Sequence, residues 1–174
     1  MGWLRMSRRQ RSRRSAGTVM PWDLGRNRMR GPDAAALAAD MEAIDRGESR
    51  TLFCSFRGLY GSYPGKFRGY LVDLTRDGII LRPLLGLQFL RRQSQVREVV
   101  LSAWERPFAD VHEARQLQAT GLYGPGGALE WAGSSVVSCR TSEGVLEFAV
   151  RRPDVQLLLR YLSVLAARDA GQAC

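Results

Sequence analysis

Apolar positions recur with a period near two through the middle of the chain and with a helical period on either side of it. Thr51–Arg57 (TLFCSFR) alternates in part. Lys66–Thr75 (KFRGYLVDLT) and Gly78–Pro83 (GIILRP) flank Arg76-Asp77, and the Asp-Gly step there is the strongest hairpin signal in the sequence. Val96–Ser102 reads as a fourth strand, Ala114–Thr120 as a fifth, and Ala128–Trp131 as a short added segment. Val136–Arg140 and Val145–Val150 complete the series around Ser142-Glu143-Gly144, where glycine supplies the positive φ that tight hairpins favour. Leu84–Gln95 fits either a loop or a helical turn, and Trp104–Val111, with its Arg-Pro step, reads as irregular.

Two stretches break the period. In Pro32–Arg46, Leu37, Met41 and Ile44 fall at helical spacing and Gly47 stops the run, which predicts a short amphipathic helix on the outside of the domain. The second helix begins at Pro153, whose missing N–H costs nothing in a first turn, beside Asp154 at the positive end of the helix dipole. Val155, Leu158, Leu159, Leu162 and Leu165 recur at i, i+3, i+4, i+7 and i+10, and Leu157, Tyr161 and Val164 widen the apolar arc. Such a helix has to be covered. Gly171 is expected beyond its last turn.

The expected organisation is a disordered basic arm over 1–31, a short helix over 32–48 and a mostly β domain over 49–170. That domain is expected to hold about seven short strands, as a bent sheet or partly open barrel, under a C-terminal helix. The strands FRGYLVDLTRDGIILRP resemble the strand-turn-strand of GRAM-type domains. Together with VVSCRTSEGVLEFAVRRPDVQLLLRYL they resemble the pleckstrin-homology-like superfold, in which a helix caps a strongly bent seven-stranded sheet. The second run also resembles the end of a family of short uncharacterised bacterial proteins that pair such a domain with an N-terminal membrane anchor. The basic start of this chain departs from that pattern, so attachment by an anchor does not carry over. A lipocalin-like or other small closed barrel with a terminal helix is the competing architecture, and implies an apolar ligand in a dry cavity.

Charge changes the picture only once it is divided. The formal net charge is +9, but nine of the 26 basic residues and one of the 17 acidic residues lie in residues 1–31. The remaining 143 residues hold 17 basic and 16 acidic groups and are nearly neutral. The basicity therefore belongs to the arm, where Arg8, Arg9, Arg11, Arg13 and Arg14 form a polyanion-binding candidate through counterion release. An unstructured extension from an upstream start codon explains the same residues without a partner; Met6, Met20 and Met29 are alternative starts. The three cysteines, at 54, 139 and 174, show no CxxC spacing and read as free thiols in a reducing cytosol. With no run of about 18 apolar residues and no signal-peptide h-region, the chain is expected to be cytoplasmic, and at most peripheral to the inner face of a membrane.

Chemistry-bearing patterns are sparse. His112 is the sole histidine, which removes multi-histidine metal sites; a Cys-His pair with Cys54 or Cys139 remains as the thin nucleophilic alternative. Asp110–Glu113 reads as a solvated polar loop, Glu147 as an outward-facing strand residue, and Asp77 as turn chemistry beside Asp73. There is no P-loop, no G-x-S-x-G and no G-x-G-x-x-G. The expectation is a non-enzymatic binding or scaffold domain with no cofactor, no metal and no small-molecule substrate.

The tetrapeptide Gly-Leu-Tyr-Gly occurs at 58–61 and 121–124 and exposes Leu59, Tyr60, Leu122 and Tyr123 if both loops point outward. The pleckstrin-homology-like resemblance implies that the first-second and third-fourth strand loops share one open end. That would gather Leu59, Tyr60, Leu87, Phe89 and Leu90 with Lys66, Arg68, Arg91 and Arg92, an apolar tip ringed by cations suited to an anionic bilayer surface. Leu84–Leu90 serving as plain core is the bland alternative. Nucleic acid bound through the arm, and a protein partner on a sheet edge or on the Gly-Leu-Tyr-Gly loops, are the other partner classes.

Overall fold

A computed structural model of the chain describes residues 33–84, 93–110, 112–113 and 134–172. Its elements run in the order α1 (Ala34–Asp45), β1 (Arg50–Gly58), β2 (Arg68–Thr75), β3 (Gly78–Pro83), β4 (Ser94–Gln95), β5 (Val100–Arg106), β6 (Ser134–Thr141) and β7 (Val145–Arg151), and end in α2 (Arg152–Gln172). The described strands form one seven-stranded sheet in the order β4-β3-β2-β1-β7-β6-β5. Every pairing is antiparallel. The sheet is open, with β4 and β5 at its two edges, so the closed-barrel alternative is not what forms. A bent, open sheet under a C-terminal helix is the expected fold class.

Alternation builds one core. Leu52, Cys54 and Phe56 of β1, Tyr70, Val72 and Leu74 of β2, and Leu146, Phe148 and Val150 of β7 all face inward at every second position. Ile79 and Leu81 of β3 join the same cluster as Val100 at the start of β5, near the two ends of the sheet order. Strands that far apart share a core only if the sheet curls, and α2 fills the resulting concavity with Val155, Leu158, Tyr161 and Leu162. Phe56 centres an aromatic cluster, edge-on to Tyr63 and Tyr70 at 5.4 Å each and tilted against Phe148 at 5.1 Å.

The helices are fixed in place, α1 by its cap and its buried face and α2 by bonds to the sheet and to α1. Asp33 caps α1 through Ala35 N (3.0 Å), and Met41, Ala43 and Ile44 are buried. Tyr161 donates its hydroxyl to Thr75 O (2.7 Å), Arg168 reaches Arg76 O and Asp45, and Asp169 accepts from Val100 N (2.9 Å).

Some boundaries differ from the sequence expectation. The strand expected over Val96–Ser102 is displaced to Val100–Arg106, so Trp104–Arg106 is β rather than irregular; the ladder with β6 runs to Arg106↔Val136 and stops where Pro107 removes a donor. Ser94–Gln95, expected in a loop or helical turn, pairs with Ile80 and Leu81. Gly171 lies inside α2, which continues to Gln172 because its last turns still have a sheet edge and α1 to grip. Gly144 does not take positive φ. Its reason is space, since a Cβ there would collide with the Tyr60 ring. The strands expected at Ala114–Thr120 and Ala128–Trp131, and the arm over 1–31, lie outside the described residues.

Candidate functional site

Two surfaces concentrate polar chemistry on this scaffold, and the first is the end of the sheet where β1 turns into β2. Gly58 N bonds Pro64 O and Leu59 N bonds Val145 O, which folds the loop back onto the β6–β7 turn. A Cβ on Gly58 would strike Tyr63, so the tight turn depends on glycine there. Tyr60 and Tyr63 meet edge to face at 5.7 Å. Tyr60 Oη shares a hydrogen bond with Thr141 Oγ1 (3.1 Å), and Tyr63 donates to Glu98 (2.9 Å). Burial raises both phenol pKa values, for Tyr63 with the Glu98 carboxylate adding to the effect.

The tyrosines therefore anchor the loop, and what it presents outward is Leu59, 55 % exposed, with Lys66 and Arg68. Leu84 N bonds Gly69 O beside the foot of the same loop, so the chain leaves β3 at this end. Leu87, Phe89, Leu90, Arg91 and Arg92 follow in sequence and lie outside the described residues, as do Arg8, Arg9, Arg11, Arg13 and Arg14. The second Gly-Leu-Tyr-Gly, at 121–124, lies outside them too.

The second surface is the outer face of β1, β5, β6 and β7. Glu147 is 4 % exposed. It accepts from Arg57 Nε (2.6 Å), Arg106 Nε (2.8 Å) and Ser138 Oγ (3.2 Å). Glu113, also buried, accepts from Arg57 Nη2 (2.5 Å), Arg106 Nη1 (2.9 Å), Arg106 Nη2 (2.8 Å) and Ala109 N (2.7 Å). Hydrogen bonding from Arg106 holds the Glu113 carboxyl down at about 2 against the opposing pull of burial, and the same carboxylates push the Arg106 guanidinium further up. Arg57 also lies over the Phe67 ring, 4.3 Å from its centroid.

Glu113 is not the solvated loop residue the sequence suggested, and Glu147, outward-facing as expected, is buried as well. Alternation does place Glu147 on the outer face, but the chain after β5 comes back across that face and covers it. Of the expected polar loop at Asp110–Glu113, Asp110 and His112 are exposed and Glu113 is not. The one available signal was two arginines, Arg57 at the end of an expected strand and Arg106 in a stretch expected to be irregular, each needing a carboxylate if covered.

Asp73 is buried, accepting from Thr51 Oγ1 (2.6 Å) and Arg82 Nη2 (2.7 Å) as a strut across β1, β2 and β3. Burial pushes the Cys54 thiol well above its usual range and Cys139 up to about 12, which removes the thiolate that nucleophilic or ligand chemistry needs. His112 is exposed, whereas both thiols are buried in the core. Among the described residues, no three His, Cys, Asp or Glu side chains are grouped to hold a metal ion. A groove of about 270 Å³ opens between the β4 and β5 edges, lined in part by Asp77, Gln95, Glu98, Leu165 and Asp169. It is smaller than the roughly 300 Å³ at which ligand pockets begin, and its wall is polar. No described helix is long and apolar enough to cross a membrane.

No protein-family model matches the chain, and neither the curated proteins nor the solved structures give a match.

Proposed function

We propose that the chain is a non-enzymatic binding or scaffold domain of pleckstrin-homology-like architecture, whose β1–β2 loop end meets an anionic membrane surface. The observation that carries this reading is the loop itself. Its tyrosines are spent on anchoring, so Leu59, Lys66 and Arg68 are held outward by a rigid base rather than by a mobile tip. An apolar side chain beside cations gains both from insertion at the headgroup boundary and from attraction to anionic lipid, the latter about 1 kcal/mol per basic residue near the surface. The sequence that follows Leu84 carries the same chemistry in Leu87, Phe89, Leu90, Arg91 and Arg92, which lie outside the described residues.

Co-sedimentation with vesicles of phosphatidylcholine and phosphatidylserine tests it. Binding is expected at low salt, to weaken as salt rises, and to be lost in Leu59→Asp/Lys66→Glu/Arg68→Glu while neutral vesicles pellet nothing. Absence of wild-type binding at low salt ends the reading. Deleting residues 1–31 separates it from polyanion binding by the arm. Loop-dependent lipid binding survives the deletion, whereas sequence-independent DNA or RNA binding through the arm does not.

A further inference from the structure

The strands of the outer face carry an unbalanced charge. Arg57 of β1, Arg106 of β5 and Glu147 of β7 are fixed to one another by hydrogen bonds of 2.6 and 2.8 Å, two guanidiniums on one carboxylate. These side chains are largely covered, the arginines being 16 % and 22 % exposed. A covered +1 site of this kind takes one further carboxylate. In the structure that carboxylate is Glu113, and it comes from no strand. It belongs to the segment that leaves β5 at Pro107, of which residues 107–110 and 112–113 are described.

The segment sits on the sheet as a bound peptide would. Phe108 packs on Phe67, Val136 and Ala149, an apolar trough separate from the main core. Five residues on, Glu113 enters between the two arginines, with its amide turned onto Asp110 Oδ1 (2.7 Å). Pro107, Ala109, Asp110 and His112 are exposed, so among the described residues of the segment the ring of Phe108 and the carboxylate of Glu113 are what it buries on the sheet. Among the described residues, the trough beneath is built from strands and from Phe67 at the entry to β2.

We propose that this trough is a docking site for an acidic segment of a partner protein, bearing an aromatic residue five positions before a glutamate, and that the chain's own 107–113 segment occupies it as an autoinhibitory strap. An incoming segment would exchange its aromatic ring for Phe108 and its carboxylate for Glu113, so that the charge at the trough is balanced before and after the exchange. A site open for only a fraction of the time binds more weakly by that fraction, which is how the strap sets the threshold for a partner. The proposal goes beyond membrane attachment and uses none of Leu59, Lys66 and Arg68, although Phe67 lies between the last two.

The test uses a fluorescein-labelled peptide of the strap's own sequence, RPFADVHEA, and the full chain. Fluorescence anisotropy is expected to show Phe108→Ala/Glu113→Ala binding the peptide at least about tenfold tighter than wild type. A peptide with its glutamate replaced by glutamine is expected to bind neither protein. No binding to the double variant, with its circular dichroism and thermal transition showing it folded, overturns the proposal. So does a dimer that exchanges straps, because the occupant is then a second copy. If the variant does not fold, hydrogen exchange on wild type decides. Amides of Ala109 and Glu113 exchanging well ahead of those of Phe56 and Phe148 support an opening strap; exchange only with global unfolding refutes it. Vesicle binding is unchanged by these variants, so either reading fails without the other.

Discussion

Glu147→Gln isolates the energetic weight of the outer-face charges while keeping the side chain's shape. In the native protein this carboxylate receives Arg57 Nε at 2.6 Å and Arg106 Nε at 2.8 Å and is 4 % exposed. At an effective dielectric constant near 20, each unit-charge contact at about 4 Å between charge centres has a gross value of about 4 kcal/mol, most of it offset by desolvation. Neutralising Glu147 leaves both guanidiniums covered with only Glu113 between them, and an uncompensated buried charge of that kind costs about 3 kcal/mol. For a chain of this length that lowers the thermal midpoint by about 6–12 °C. Urea unfolding followed by far-UV circular dichroism, compared at unchanged m-value, measures it. The control is Arg46→Ala, which removes pairs with Glu42 and Glu48 whose side chains are 53–74 % exposed; it is expected to cost no more than about 1 kcal/mol. A Glu147→Gln loss as small as the control's would falsify the view that the network is buried and energetically coupled. Replacing Arg57, Arg106, Glu113 and Glu147 together by apolar residues of similar volume is expected to recover most of the loss, because no charge is then left unpaired.

Three further outcomes concern Glu113 of the same network, the Gly144 turn and the buried thiols. Glu113 has a folded-state pKa of about 2, below the ordinary carboxylate value, so its stabilisation is complete above pH 4.5 and is lost as pH falls toward 2. Acid titration of stability should therefore be flatter over that window in Glu113→Gln than in wild type, and parallel curves would contradict the assignment. Gly144→Ala drives a Cβ into the Tyr60 ring and is expected to cost about 1–3 kcal/mol, with Tyr60→Ala removing most of the difference in a double-mutant cycle; an unchanged melting temperature would count against that contact. In a Cys174→Ser background, Cys54 and Cys139 should resist a thiol reagent at pH 8 and react only at the rate of unfolding, since burial raises both thiols; rapid labelling of the native protein would contradict that burial.

How much of this could be read in advance depended on which forces act locally. The turn of the β2–β3 hairpin was legible to the residue, because Thr75, Arg76-Asp77 and Gly78 fix it through neighbours in sequence; Thr75 Oγ1 bonds Gly78 O at 2.7 Å. The apolar arc of α2 was legible for the same reason. The β1–β2 loop was only half legible. Leu59, Lys66 and Arg68 lie outward as expected, but Tyr60 turns inward to Thr141, a partner 81 residues away. The outer-face network was illegible. Glu113 looks solvated and Glu147 merely outward-facing from their neighbours, and their burial is created by a segment crossing strands whose ion pairs span 90 positions (Arg57 to Glu147) and 41 positions (Arg106 to Glu147). Trp104–Arg106 was misjudged because the Arg-Pro step marks the end of β5 rather than its absence.

The place of β1 in the sheet has a consequence for how the chain comes to be folded on the ribosome. One edge of β1 is satisfied early, by β2, within a meander whose contacts are local. Its other edge pairs with β7, so that Arg57 and Glu147 bond across 90 residues of sequence. Until that strand has been synthesised, Phe56 has no Phe148 to pack against and β1 offers a row of unpaired amides and carbonyls beside an exposed aromatic cluster. Loop closure over that span is slow, and a waiting edge of this kind is what holdase chaperones and edge-to-edge aggregates both recognise. Nascent chains stalled before β7 should therefore be captured by chaperones or proteases, and those released after α2 should not.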